Sequence, residues 1–414
     1  MPTFLAAVAV DHSSVLLALF VMLAAAKVMA EICERLRQPA VVGEILAGVL
    51  VGPSVLGWVA PSELIGIFAE IGVIFLLFTV GLETKPRAIL QVGRRALAVA
   101  VLGVVLPFAA GYLIAIWWDG SLVEALFIGA ALVATSVGIT ARVLGSMGLL
   151  ELETSRIILA AAVIDDILGL VILSLVSAVR QGSVSYAGLA KTAGAAILFT
   201  VFVAVVGSRS MTRLAPWVER LRLDKPFFTI GLLLCLGLSF AAVYVGVAAI
   251  IGAFLAGMAL AEATEERDRM HRMTSGVMEF LVPIFLVNIG MQLNLGVFKD
   301  TSVVGLAFIV TAVAVITKFI GCGLGAFGMS HRERAQVGVG MVPRGEVGIV
   351  VAQIGLGLGV ISDGFFAAVL FMAVGTTLIA PPLIKLLYSQ DIDQDGTEDV
   401  IRETDVSDSY SRIG

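Results

Sequence analysis

Asp165 and Asp166 stand side by side in the run ILAAAVIDDILGLVILSLV, with no other charge for about two helical turns on either side. An aspartate at the centre of a bilayer costs roughly 3 kcal/mol on insertion scales, so acids kept there usually mark an ion or proton path. Neighbouring positions on a helix project about 100° apart, so the two carboxylates cannot both face one partner. Lys318, in VAVITKFIGCG, is a cation at similar depth. One aspartate can pair with it while the other faces a water-filled cavity. A bare sodium-like ion wants several oxygens. A carboxylate can supply one or two, and the hydroxyls and freed carbonyls of Thr135 and Ser136 can supply others, with water completing the shell. Metal entry then competes for the carboxylates and weakens the lysine pair, which releases a proton; proton return expels the metal.

The elements that must position these groups are membrane spans. Apolar residues make up 59% of the chain and charged residues 14%, with mean hydropathy +1.03; soluble domains carry about a quarter charged residues. Apolar runs of about 20 residues give thirteen expected spans, at roughly 13–33, 38–57, 62–82, 92–118, 122–146, 155–179, 186–207, 225–244, 246–262, 273–292, 302–326, 335–357 and 361–388. The second is broken by Gly52-Pro53 and the ninth is short. Under strict alternation, loops on one side carry Arg35, Arg37, Lys85, Arg87, Arg94, Arg95, Arg332, Arg334 and other basic residues, while the opposite side holds only Arg180, Lys191 and Lys299. That bias places the N-terminus outside and the C-terminus in the cytoplasm.

Two spans look unsuited to continuous helix. The fifth contains ALVATSVGITARV, with Thr135, Ser136, Gly138 and Thr140; the twelfth contains GVGMVPRGEVGIV, with Pro343, Arg344, Gly345, Glu346 and Gly348. Proline removes a backbone donor, and glycine and threonine clusters loosen the helix at mid-depth. Triplets four to six and eleven to thirteen run in opposite directions, as an inverted repeat requires, and matching interrupted spans point to a transport site. Arg344 and Glu346 can neutralise the broken ends. Glu44, Glu70 and Glu279 read as cavity-lining or interface acids, and Lys27 and Arg142 as snorkelling cations near the cytoplasmic ends.

Other features exclude more than they suggest. Cys33, Cys235 and Cys322 are far apart and read as small core residues, with neither disulfide nor zinc spacing. No basic cluster interleaved with aromatics suggests nucleic acid, no signal peptide is expected, and nothing calls for a cofactor. The net charge of −5 comes largely from residues 389–414, an acidic segment expected to be disordered. Its Asp391, Asp393, Asp395 and Gly396 copy the start of a calcium loop, but Arg402 stands where the bidentate acid belongs.

At these residues the chain resembles the monovalent cation:proton antiporter superfamily, in the branch of bacterial sodium/proton and Kef-type potassium/proton antiporters. The matching segments are QPAVVGEILAGVLVGPSVLG, FLLFTVGLE, ATSVGITARVL, VIDDILGLVIL, Lys318 and MVPRGEVGIVVA. The resemblance covers the whole membrane part. It implies an all-α polytopic protein of about 13 helices in a bacterial inner membrane, with two broken helices crossing beside the aspartates. It implies an antiporter domain over about 1–388, with core spans about 88–180 and 302–388, scaffold and dimer spans about 13–82 and 225–292, and a linker span about 186–207. It assigns Asp165 to Lys318 and Asp166, with Thr135 and Ser136, to sodium. It also implies a homodimer, elevator-type alternating access and electrogenic exchange of about two protons per sodium. Kef-type relatives usually carry a cytosolic nucleotide-binding domain that is not expected here, which favours sodium over potassium; electroneutral exchange is the other alternative.

Rivals from other classes fit the residues less well. Prenyl transferases need Asp-Asp-x-x-Asp, but Ile167, Leu168 and Gly169 follow the pair. A second aspartate in a Gly-x-Gly-Asp setting, required by intramembrane aspartyl proteases, is absent, as is His-Glu-x-x-His. A channel needs a continuous pore, whereas one acidic site flanked by two broken helices suits alternating access.

Overall fold

Apolar stretches delimited by serine, glycine and proline fold as helices in the computed structural model of the chain. It describes residues 12–84, 91–118, 120–180, 186–220, 222, 225–261, 267–293, 295–296 and 301–411. Helices run α1 His12–Arg35, α2 Ala40–Val51, α3 Glu63–Glu83, α4 Gly93–Trp117, α5 Leu122–Val133, α6 Val137–Ser146, α7 Glu153–Arg180 and α8 Tyr186–Phe202. After a π-helical turn at Val203–Gly207 come α9 Ser208–Glu219, α10 Pro226–Val245, α11 Ala249–Ala261 and α12 Arg267–Met291. The last are α13 Thr301–Gly325, α14 His331–Gly340, α15 Glu346–Gly357 and α16 Asp363–Ser411. No strand occurs among the described residues.

The starts follow local chemistry. Ser62 Oγ accepts from Ile65 N, Ser121 Oγ from Glu124 N, and Ser330 forms a full capping box with Glu333, each satisfying a helix-start donor that has no partner within the helix. Pro226 opens α10 at its first turn, and Gly246 closes it in the left-handed region at φ 87°.

Each of the thirteen expected runs coincides with a helix or a pair of helices. Length and apolarity alone qualify eight helices among the described residues to cross a membrane, or nine if one bent pair is a single span. Part of the difference has a geometric reason: α2 and α11, at 12 and 13 residues, reach only about 18–20 Å. The second run stops as a helix at Val51, before Gly52 and Pro53.

Packing sorts the helices into two groups. α3 lies against α11 and α12, with α1 and α2 beside α12 and α10 beside α11; α4 lies against α5, α7 and α13, with α14, α15 and α16 around them. Gly321 brings α13 onto α4: a Cβ there would sit 2.6 Å from the Leu102 carbonyl. Small residues at such contacts let membrane helices approach closely where hydrophobic driving force is lacking. All three cysteines are buried and free.

Residues 389–411, expected to be disordered, lie in the continuation of α16, which runs to Ser411. Asp391 Oδ2 accepts from Arg332 Nη2 at 2.8 Å and from Gln336 Nε2 at 2.7 Å, and the Leu387 carbonyl accepts from the same two side chains. A pinned turn supplies the costly nucleus from which a helix propagates. Asp391 therefore serves the packing of α14 on α16.

Candidate functional site

The two interrupted runs break at neighbouring points and tie to each other. α5 ends at Val133 and α6 begins at Val137; α14 ends at Gly340 and α15 begins at Glu346. Ser136 N donates to the Pro343 carbonyl at 2.8 Å, and Thr140 Oγ1 donates to the Gly340 carbonyl at 2.6 Å. Arg344 N donates to Thr376 Oγ1 of α16 at 3.0 Å. Four helix ends thus meet inside the protein, where free peptide groups need partners.

Side chains supply those partners. Lys318, fully buried, donates from Nζ to the Gly103 carbonyl of α4 and the Val133 carbonyl of α5, each at 2.8 Å. It also reaches both carboxylate oxygens of Asp165, at 3.1 and 3.2 Å. Arg344, equally buried, donates from Nη1 to Val133 O at 2.8 Å and Ala134 O at 2.9 Å, and from Nη2 to Ala314 O at 3.3 Å. Two cations thus stand at the C-terminal end of α5, where the helix dipole and the last carbonyls are negative. The charge is balanced by Asp165 and by peptide dipoles.

Asp166 projects elsewhere, as the 100° step requires. It is 9% exposed and lines a small cavity with Leu77, Val137, Leu159, Val163, Ile250, Ile251 and Phe254. The cavity is about 10 Å³, room for the centre of roughly one water-sized body. Val137 is the first residue of α6, so the break and Asp166 share this space. Just before it, Thr135 and Ser136 are buried and their hydroxyl oxygens have no hydrogen-bond partner among the described residues. Buried hydroxyls normally find one. Such oxygens beside a carboxylate suit a small alkali cation as passing substrate.

A second cavity of about 260 Å³ continues along α3 and α6, lined by Thr79, Glu83, Arg142, Gly145, Ser275 and Glu279 among others. Leu77 of the first cavity and Glu83 of the second lie about 9 Å apart along α3.

The structure therefore gathers Asp165, Lys318 and Arg344 in one hydrogen-bonded cluster, while Asp166 lines the small cavity that Val137, next in sequence to Thr135 and Ser136, also lines. Glu346 opens α15; its side chain lies outside the described part. Glu44 is buried and its Oε2 has no partner, Glu279 and Arg142 line the larger cavity, and Glu70 is exposed. Sequence reasoning missed the carbonyl acceptors of Gly103, Val133, Ala134 and Ala314. Every residue carries a carbonyl, so only Gly103, which allows the close approach, left any trace in residue type.

Comparison with known proteins identifies the family. Residues 16–389 match the transmembrane sodium/hydrogen exchanger family. The high-affinity Na(+)/H(+) antiporter NhaS3 of Synechocystis is 34% identical over 418 residues, covering 91% of this chain and 90% of its own. The Na(+)/H(+)-K(+) antiporter GerN of Bacillus cereus is 32% identical over 364 residues, covering 87% and 93%. The sodium proton antiporter MjNhaP1 of Methanocaldococcus jannaschii has a similar fold, with TM-score 0.69 at 18% identity over 93% of this chain and 98% of that one. A membrane-embedded chain with this motif set, matched along nearly its whole length, belongs to the sodium/hydrogen exchanger family, within the monovalent cation:proton antiporters.

Proposed function

We propose that this chain exchanges sodium, and lithium with it, for protons across a bacterial inner membrane, electrogenically and by elevator-type alternating access in a homodimer. The observation that carries the reading is the split of one aspartate pair: Asp165 is held by Lys318, while Asp166 lines a cavity with Val137, next in sequence to the buried hydroxyls of Thr135 and Ser136. Sodium at Asp166 draws on the same carboxylate pair that keeps Lys318 protonated. As the Lys318–Asp165 contact loosens, the ammonium gives its proton to water and remains neutral while the metal is bound. Reprotonation restores the ion pair and releases sodium. A buried lysine that loses its carboxylate has every reason to lose its charge. One proton on Lys318 and one on Asp166 give the count of about two per sodium.

The two packing groups support a moving core of α4–α7 and α13–α16 against a scaffold of α1–α3 and α10–α12. The first cavity, between α3, α6, α7 and α11, and the second, between α3, α6 and α12, follow one another toward the end that the basic loops mark as cytoplasmic, which is the access path expected of one inward-open half-cycle. Potassium is the second reading, favoured by the name of the relative GerN.

The test uses purified protein in liposomes with an internal pH dye. Sodium and lithium should drive proton movement, and Asp166→Asn should abolish it. Flux that survives the substitution refutes the ligand assignment. Exchange indifferent to a potassium-ionophore voltage clamp refutes electrogenicity.

A further inference from the structure

We propose that the outward face of α13 is a seat for an anionic phospholipid, its acyl chain lying along the helix and its headgroup phosphate on Arg334. Phe308, Thr311, Ala312, Val315, Ile316, Phe319, Ile320, Gly323 and Leu324 recur every three or four residues, which sets them on one stripe about 24 Å long. Two hollows follow one another along it. The first, about 490 Å³, lies between Phe308–Ile316 and Phe371, Gly375, Leu378 and Ile379 of α16. The second, about 260 Å³, lies between Phe319–Leu324 and His331, Arg334 and Ala335 of α14.

The first hollow is dry in character. Its hydroxyl, Thr311, is already bonded to the Ala307 carbonyl at 2.7 Å. Phe308, Ile316 and Leu324 are 62%, 53% and 58% exposed, as lipid-facing residues of a span are. The stripe is longer than one leaflet of a hydrocarbon core about 30 Å thick, so a whole chain fits along it.

The charged end decides which lipid. His331 and Arg334 are three residues apart on the same helix face, at the level where α13 gives way to α14. Their neighbours are engaged: Arg332 with Asp391 and the Leu387 carbonyl, Arg95 with Glu153, and Glu333 with the Ser330 backbone N–H. The Arg334 side chain, by contrast, has no hydrogen bond or ion pair among the described residues, and its Nε is shielded from solvent. A half-buried guanidinium with an unpartnered Nε at the mouth of an apolar trough matches a phosphodiester joined to an acyl chain. A zwitterionic headgroup would bring its own positive charge there. The seat is independent of how exchange proceeds.

Native mass spectrometry of the purified full chain in detergent tests this, with phosphatidylglycerol and phosphatidylcholine of equal chain length as probes. The wild type should retain the anionic lipid about fivefold over the zwitterionic one, the preference expected for one basic contact. Arg334→Gln should bring the ratio to about one, and Arg334→Lys should keep most of it. His331→Gln, at an exposed position that folding does not need, should lower the ratio by less. Equal retention of both lipids by the wild type, or a ratio unmoved by Arg334→Gln, would overturn the proposal as annular lipid only. Displacement of phosphatidylglycerol by equimolar inorganic phosphate would also overturn it, by showing a free-phosphate site.

Discussion

Lys318 and Arg344 share one acceptor: the Val133 carbonyl receives Nζ of the first and Nη1 of the second, each at 2.8 Å. A carbonyl oxygen has two lone pairs, so both bonds can form at once. The pairing divides labour between two cations. Arginine stays charged throughout and keeps the end of α5 closed, whereas lysine can give up a proton without that end coming apart.

Arg344→Gln should therefore act on stability before transport. It strips Ala134 and Ala314 of a donor and leaves Val133 with Lys318 alone, and a buried carbonyl left unsatisfied costs about 1–3 kcal/mol. The melting temperature in detergent should fall clearly. Arg344→Lys should rescue little, because an ammonium cannot span three carbonyls with a planar fork. Wild-type melting in either variant would show that the cap is dispensable.

Lys318→Gln leaves Asp165 facing a neutral partner in the interior. Breaking a buried pair on one side typically costs about 3–5 kcal/mol, while replacing both members is far milder. Lys318→Gln with Asp165→Asn should thus melt above Lys318→Gln alone, and neither should respond to voltage as the wild type does. If the double variant melts lower than the single one, the pair is not what holds these helices.

Gly345 is placed so that a Cβ would lie 2.5 Å from Ser136 Oγ and 2.6 Å from its Cβ. Real Cβ atoms do not tolerate such contacts, so Gly345→Ala must push the Ser136 hydroxyl aside. Sodium KM should rise several-fold with lithium affected alike, while the maximal rate falls less. An unchanged KM would remove Ser136 from the cation's surroundings.

The start of α14 carries a pH signature of its own. Glu333 accepts from the Ser330 backbone N–H, and that bond, with a lesser one from the Ser330 hydroxyl, holds its carboxyl below the usual 4.5. Because the folded value is depressed, the stabilisation is present above the unfolded value and disappears as pH falls through the folded one. Glu333→Ala should lower the melting temperature at about pH 7 and converge with the wild type at about pH 3. Ser330→Ala, which also removes the other half of the box, should cost about 1 kcal/mol. A gap between Glu333→Ala and the wild type that is flat with pH would show that the carboxylate charge plays no part.

The acids and the lysine were legible without coordinates because a charge in an apolar run carries its own cost, whatever surrounds it. Helix breaks were legible for a similar local reason: Pro343 and the glycines beside it cannot sustain a ladder of peptide bonds. The acidic segment after residue 388 was less legible, since its composition says nothing of the Arg332 and Gln336 side chains that bond Asp391.

The amino-acid order alone determined that the chain lives in a membrane, where it is interrupted, and that Asp165, Asp166 and Lys318 need company at mid-depth. Tertiary structure decided the company itself: which aspartate faces the lysine, that Arg344 closes the opposite half-helix at Val133 and Ala134, and that the buried hydroxyls of Thr135 and Ser136 go without a partner among the described residues. The reason is physical. Burial cost belongs to a residue type and is written position by position, whereas relief of that cost comes from backbone carbonyls, identical in every residue, which only packing brings within reach.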